Sequence, residues 1–331
     1  MSMDRLTLLD VAKQTDPDGA PAVVAEILQQ MNPILEDAPA FASNAPTGNR
    51  VTMRSALPQV GFSKVNQGSV RSKGATEQRT DTIGLVAGLS EVDSKLRKIV
   101  GEAAFSKARW LEDQGFLEAY SQLISSTMLY GDEKLNDAAF TGLIPRLSTL
   151  NVTDLTKSIV GKNSASTVGG SIVVVDWGER GAHLIYPPNT TAGLDVRDKG
   201  EMRVTDTDGN PMMAYVTAYD AAIGLSVRDP RHIGRLGNID VTTGVDTNML
   251  MLLGTASVSG LLDILAAMPP QNGMNRVAYC PQRIYAVFMK QALNKSNANI
   301  TIREYLGKLT PYFWDVPVRR LDQASIVETV L

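Results

Sequence analysis

Residues 111–130 read LEDQGFLEAYSQLISSTMLY, and a glycine follows at 131. Phe116, Tyr120, Leu123, Thr127 and Tyr130 recur at i, i+4, i+7, i+11 and i+14, the spacing that gathers side chains on one stripe of an α-helix. The sequence therefore predicts a helix from Leu111 to Tyr130, with Phe116, Tyr120 and Leu123 in its core. Twenty residues rising 1.5 Å each make a rod of about 30 Å. Gly131 stands where a left-handed C′ residue ends a helix. Gly115 weakens the first turn by about 1 kcal/mol relative to alanine, so a closely packed neighbour is expected there. A shorter helix, Ser90 to about Val100, precedes the rod, with Ser90 and Asp93 resembling a capping box.

Upstream of the helices the chain changes character. From Arg50 to Thr82 it is rich in Ser, Gly, Gln, Arg and Lys, with Val51 and Met53, then Phe62, Val65 and Val70, spaced as two weak strands. Between Gly61 and Thr80 stand Lys64, Arg71, Lys73 and Arg79 against one acid, Glu77. So polar a hairpin is marginal in water on its own and needs a partner surface. Before it, residues 1–50 hold Pro17, Pro21, Pro33, Pro39 and Pro46 around two short helical patterns, Leu6 to Gln14 and Ala22 to Met31. Such punctuated pieces make no independent core, so this segment is expected to be an arm that packs on something else.

Downstream, the period becomes two between Ser171 and Val241. Ile172–Trp177, His183–Tyr186, Glu201–Thr205 and Met213–Tyr219 read as strands of an antiparallel section, with Thr207-Asp208-Gly209-Asn210 as a tight turn. A helix capped by Asp246 or Thr247 is expected to run through Met268 to Pro269-Pro270. Then come a strand at Arg276–Cys280, a helix at Pro281–Leu293, and strands near Ile300–Ile302 and Val316–Arg320. Helices and strands in segregated runs make the class α+β rather than a wound parallel sheet.

Composition narrows the functions available. With 331 residues, 44% of them hydrophobic and 20% charged, the chain is an ordinary globular protein with enough length for one large or two to three modest domains. No apolar run reaches the 18 residues of a membrane span; Asp263 cuts off the nearest, Met249–Leu262. The acidic N-terminus predicts no secretion signal. One cysteine, Cys280, and two histidines, His183 and His232, exclude a disulfide framework and any zinc site built only of His and Cys. A net charge of −3 gives no global basic excess for nucleic acid.

Motifs of catalysis are absent: no nucleophile elbow, phosphate loop, dinucleotide glycine motif or H-E-x-x-H. Asp206 and Asp208 before Gly209 invite a calcium loop, but Tyr215 stands where its glutamate belongs, which favours a plain turn. His183, among strand residues, is expected to be a satisfied structural imidazole, and His232 to be solvated. Cys280 fits a buried small hydrophobe better than a reactive thiolate. The basic loop around Arg71 and Lys73 carries no interleaved aromatics, so it is no stacking platform for single strands. What remains is an arm, a long polar hairpin and a long helix beside a β section, pieces that fit contacts with copies of the same chain.

That order resembles the major capsid proteins of tailed double-stranded DNA phages, with a Hong Kong 97-like fold of N-terminal arm, extended loop, spine helix, peripheral domain and axial domain. The likeness is carried by Glu112-Asp113-Gln114-Gly115-Phe116 through Met128-Leu129-Tyr130-Gly131-Asp132, and by Phe140-Thr141-Gly142-Leu143. It continues in Ser171-Ile172-Val173-Val174-Val175-Asp176-Trp177-Gly178, Ile185-Tyr186-Pro187, and Gly224-Leu225-Ser226-Val227-Arg228-Asp229 leading into Asn238-Ile239-Asp240. Ala292-Leu293-Asn294-Lys295-Ser296-Asn297 and Val316-Pro317-Val318-Arg319-Arg320 extend it, so that it covers about residues 80–325. The resemblance implies an arm at 1–49, an extended loop at 50–82, spine helix and part of the peripheral domain at 83–150, a mainly β section at 151–244 and an axial α+β section at 245–331.

It further implies a structural shell protein without catalytic, metal or cofactor site, assembled in a bacterial host cytoplasm into the pentamers and hexamers of an icosahedral virion. Partners would be copies of itself, portal, scaffolding and cement proteins, and packaged double-stranded DNA bound without sequence specificity; no membrane is implied. Phe62, Lys64, Arg71, Lys73 and Arg79 would lie at contacts between subunits. Some members cross-link a loop lysine to a neighbour's asparagine, and Lys64 and Lys73 lie in the corresponding loop, but no acceptor motif matches. The arm, with seven acidic residues against three basic in 1–50, suits a shell filled by a motor rather than one condensing on its genome. Two alternatives are an encapsulin-like compartment shell and an α+β hydrolase with Asp176, Glu179 and His183 as its polar cluster.

Overall fold

The structure, a computed structural model, describes residues 30–151, 158–162, 169–190, 193–205, 209–239, 260–293 and 300–328. Its helices are α1 (Ile34–Asp37), α2 (Ser94–Val100), α3 (Glu102–Tyr130), α4 (Leu143–Arg146), α5 (Leu261–Ala267) and α6 (Gln282–Ala292). Its strands are β1 (Ala40–Ala42), β2 (Gly48–Ala56), β3 (Ala75–Asp93), β4 (Ile159–Lys162), β5 (Gly170–Trp177), β6 (Ala182–Tyr186) and β7 (Asp195–Thr205). They continue with β8 (Pro211–Val227), β9 (Ile233–Ile239), β10 (Asn275–Cys280), β11 (Ile300–Tyr305), β12 (Lys308–Phe313) and β13 (Val316–Arg320). The class is α+β, as expected. The arm patterns at Leu6–Gln14 and Ala22–Met31 and the capped start of the Asp246–Met268 helix lie outside the described residues, as does the motif Asn294–Asn297.

The chain divides into two compact units, each gathered from separated segments. One holds residues 1–32, 85–125 and 193–222; the other holds 33–84, 126–192 and 223–331. In the second, β5 is buried along its whole length and lies between β9 and β10, both antiparallel to it. A strand covered on both faces reads as a continuous apolar run, and GSIVVVDW does. Ile172 and Val174 pack with Leu236, Ile264, Ile284, Phe288 and Val318 in one core. Helix α6 joins this core because Ile284, Val287 and Phe288, at i, i+3 and i+4, form its buried face. From β5 the strands run β10, β13, β12, β11. The sheet is mixed, where an antiparallel section was expected: β1 with β6, β4 with β9 and β10 with β13 are parallel pairs.

In the first unit β7 and β8 form a ribbon from Asp195↔Asp220 to Thr205↔Pro211, so the strands flanking the expected turn do pair, although residues 206–208 lie outside the described set. A bulge falls between Asp198 and Gly200, where Gly200 takes φ +70° and its N–H donates to Asp198 Oδ1 at 2.8 Å. Val92, Leu96, Phe105 and Ala108 make the core, with Tyr215 packed on it. The guanidinium groups of Arg97 and Arg109 lie over the Tyr215 ring, at 5.6 and 5.4 Å from its centre. Phe116 stacks on Tyr219 at 4.9 Å between ring centres.

Several sequence expectations change here. The long helix begins at Glu102, nine residues earlier than Leu111, so it has 29 residues. Its buried residues are Phe105, Ala108, Ile124, Ser125, Met128 and Leu129. Phe116 and Tyr120 are half-buried and Leu123 is 50% exposed, so Leu123 is not core: the stripe read from 116 onward is rotated from the buried one. A Cβ on Gly115 would meet no atom within 4 Å among the described residues, so no close neighbour explains it. Gly131 is not left-handed. It is confined by close approach instead, because a Cβ there would fall 2.4 Å from the Phe140 carbonyl oxygen. The shorter helix begins at Ser94, with Asp93 as its cap accepting from the Lys95 N–H at 2.9 Å, while Ser90 is buried in β3.

Candidate assembly surface

β2 and β3 pair antiparallel from Gly48↔Thr82 to Ala56↔Ala75, and the 18 residues between them, 57–74, form no strand. Phe62, Val65 and Val70 were expected in a second weak strand, but they belong to this loop. The true second strand starts at Ala75, since the Gly- and Ser-rich stretch 68–74 has no alternation to hold a ladder. Leu57, Val60, Phe62, Val65 and Val70 are all exposed, as are Lys64, Arg71 and Lys73. Large apolar side chains in water on a basic loop are what a docking element shows before it finds its partner. Arg79 differs from the other four expected contact residues: it lies on β3, is half-buried and has its Nε 3.5 Å from Asp81 Oδ1.

The ribbon's root is fixed by a buried ion pair. Asp81, at the inner end of the ladder, accepts from Arg146 Nη1 at 2.7 Å, Ser226 Oγ at 2.9 Å and the Val227 N–H at 3.1 Å. Arg146 reaches it from α4 and also donates to the carbonyl oxygens of Gly142, Thr141 and Leu225. Burial lowers the Arg146 pKa, against the opposing pull of Asp81. Asn49 of β2 donates to Ser226 Oγ at 3.0 Å, so both ribbon strands are tied to β8. The approach is so close that a Cβ on Gly224 would lie 2.4 Å from the Thr82 carbonyl oxygen.

Three further buried clusters hold the same unit. Arg235, on β9, donates to Ser171 Oγ at 2.9 Å, Glu328 Oε2 at 2.8 Å and the Leu147 carbonyl at 3.1 Å. Tyr130 Oη closes this clasp by donating to Glu328 Oε1 at 2.7 Å and accepting from the Ser325 N–H at 2.8 Å. Asp37 accepts from Tyr279 Oη at 2.6 Å, Tyr305 Oη at 3.0 Å and Arg319 Nη1 at 2.6 Å, which pins α1 to the sheet. Asp176 accepts from Arg276 Nε at 2.6 Å and Nη2 at 2.8 Å, and His232 Nδ1 lies 2.7 Å from its Oδ2. Burial pushes the Asp176 carboxyl up, but the hydrogen bonds from Arg276 and His232 outweigh it and hold the pKa below the usual range.

These clusters settle the chemistry candidates. His232, expected in solvent, is buried against Asp176, because β9 starts at Ile233 and carries the turn before it inward. His183 is buried, but its Nδ1 has no hydrogen-bond partner among the described residues, and Phe41 meets the ring edge-on at 5.3 Å, so the imidazole expected to be satisfied is not fully so. Burial lowers its pKa. Glu179 is exposed and pairs with Arg228 at 3.2 Å. Asp176, Glu179 and His183 therefore answer to three different surroundings rather than to one site. Cys280 is fully buried, and burial pushes its thiol pKa far up. Among the described residues no group of three or more His, Cys, Asp or Glu could hold a metal ion, and no helix is long and apolar enough to cross a membrane. Asp206 and Asp208 lie outside the described set.

A family model described as "Major capsid protein GP7" matches residues 16–331. The solved structure of bacteriophage epsilon15 is similar over 99% of this chain and 98% of that one, with 27% sequence identity and a TM-score of 0.76. The capsid of bacteriophage JBD30 shares the fold at 10% identity, over 90% of this chain and 92% of that one, with a TM-score of 0.55. No curated protein sequence matches the chain.

Proposed function

The chain belongs to the major capsid protein GP7 family, and from that premise we propose that it closes a phage head by laying its basic β2–β3 ribbon across a neighbouring copy. It is a structural head-shell protein of a tailed phage with the Hong Kong 97-like fold, and its place is the virion capsid. The family match sets aside the compartment-shell alternative. In the proposed reading Phe62, Lys64, Arg71 and Lys73 make the contacts between subunits, and copies gather as pentamers and hexamers of an icosahedral head, with no catalytic step. Portal, scaffolding and cement proteins are the other partners. Assembly takes place in the host cytoplasm, and double-stranded DNA fills the shell without sequence-specific contacts. The division into arm, extended loop, spine and peripheral part, β section and axial section at residues 49/50, 82/83, 150/151 and 244/245 belongs to the same reading.

One observation carries it: an apolar, basic tip wholly in solvent, on a ribbon whose root is locked by a buried ion pair. A surface excursion of no use to the subunit would not need so firm a base. Replacing residues 57–74 with a short Gly/Ser linker tests it. Loop closure depends only weakly on length, so the subunit should stay folded, with an unchanged far-ultraviolet circular dichroism spectrum. Shells should be lost. Normal particles from this variant would overturn the proposed role of the loop.

A further inference from the structure

The turn that follows α3 is the chemical counterpart of the ribbon tip. Residues 132–137 hold Asp132, Glu133 and Asp137 against Lys134, and Leu135 among them is 88% exposed. The tip offers Lys64, Arg71 and Lys73 around Phe62 and Val65. The turn sits at the ribbon's root, where Thr82 Oγ1 donates to Glu133 Oε2 at 2.9 Å. The ladder from Gly48↔Thr82 to Ala56↔Ala75 spans eight residue steps, about 27 Å at about 3.4 Å each, before the loop begins. Within one subunit the two do not meet, since the Phe62 and Leu135 side chains are both in solvent. A tip and its counterpart at opposite ends of one ribbon join copies head to tail, and such contacts close into rings when the rotation between copies allows.

On the reading that this chain builds a shell, we infer that the loop 57–74 of one copy docks on the turn 132–137 of a second copy. Phe62 and Val65 cover Leu135, and Lys64, Arg71 and Lys73 face Asp132, Glu133 and Asp137. The apolar contact supplies burial, while the exposed charges set the register and favour the right partner surface. This names the receiving surface that the ribbon alone leaves open.

The test uses the full chain. Cys280 is fully buried, so thiols placed at the two surfaces can be oxidised selectively. Shells of a chain carrying both Phe62→Cys and Leu135→Cys, treated with diamide, should run as a ladder of covalent dimers and higher oligomers on a non-reducing denaturing gel. Either single variant should run as monomer. A second readout needs no disulfide: Arg71→Glu with Lys73→Glu should lose shells, and adding Glu133→Lys with Asp137→Lys should restore them to within about twofold of wild type, the signature of direct coupling. Shells of the double-cysteine chain that give no ladder, or a fourfold charge-swapped chain that assembles no better than the basic-side reversal alone, would overturn the docking and leave the capsid reading standing. A wild-type chain that forms no shells would overturn both.

Discussion

Asp81→Ala removes the carboxylate at the ribbon's root. In the folded subunit the Asp81 side chain is 1% exposed and that of Arg146 5%, so the pair is sealed from water. Taking away one partner of a buried pair leaves the other charge uncompensated, at about 3–5 kcal/mol. Two details adjust that range in opposite directions. Arg146 keeps three carbonyl acceptors, at 3.0 Å from Thr141, 3.1 Å from Gly142 and 3.2 Å from Leu225, which soften the loss. Ser226 Oγ and the Val227 N–H lose their shared acceptor, and each buried group left unsatisfied costs about 1–3 kcal/mol. A loss of about 3–5 kcal/mol is therefore expected, a large share of the roughly 5–15 kcal/mol that native domains possess. Urea unfolding of the unassembled subunit, followed by far-ultraviolet circular dichroism, measures it. Asp81→Ala combined with Arg146→Met should be less destabilised than Asp81→Ala alone, because no bare charge remains. A loss below about 1 kcal/mol for the single change, or a double change that is simply additive, would refute the buried-pair reasoning.

Glu328→Ala strips the clasp of its carboxylate and leaves Arg235 buried beside Ser171; a fall of about 3 kcal/mol or more in unfolding free energy is expected, and equal urea midpoints for variant and wild type would contradict it. Burial holds His183 below its ordinary pKa, with Arg228 pushing the same way and the Gly178 backbone, Asp81 and Glu179 pushing back, so the folded state takes up its proton less readily than the unfolded chain. The stability this preserves is complete above about pH 6.5 and is lost as pH falls through the lower folded-state value, so urea midpoints should drop on acidification less steeply in His183→Phe than in wild type. Phe116 is half-buried against Tyr219 and Gly88, so Phe116→Ala should cost only about 1–3 kcal/mol, while Met128→Ala, at a fully buried site on the same helix, should cost about 2–5 kcal/mol. Thermal melts of the two variants in the opposite order would show the buried face of α3 to be misassigned.

Elements whose pattern is local were legible in the sequence. The alternation and apolar runs around Ile172–Trp177, Arg276–Cys280 and Val316–Arg320 gave strands to within two residues, and the turn residues between Thr205 and Pro211 gave a hairpin. The helix start was not legible, because 102–110 holds Arg109, Trp110 and Lys107 in an order without a single apolar stripe. The strand Lys308–Phe313 was missed for a similar reason: Pro311 inside it argues against a strand, yet it stands in β12 opposite Ile302 of the edge strand β11. The buried ion pairs escaped because their partners lie 65 to 282 residues apart. They did leave a trace. Asp176, Arg235, Arg276 and Arg319 each stand beside Val or Leu in a largely buried strand, and a charge in such a place must find an opposite charge. His232 was misread because a turn polar in sequence was carried inward by the strand that follows it.

The central claim is that this chain is built to close a shell with copies of itself. Negative-stain electron microscopy of the purified chain, taken alongside sedimentation velocity at tens of micromolar with and without an added scaffolding protein, addresses that claim most directly. Closed particles of uniform diameter, or rings of five and six subunits, are the predicted result. A chain that stays strictly monomeric under those conditions would contradict it.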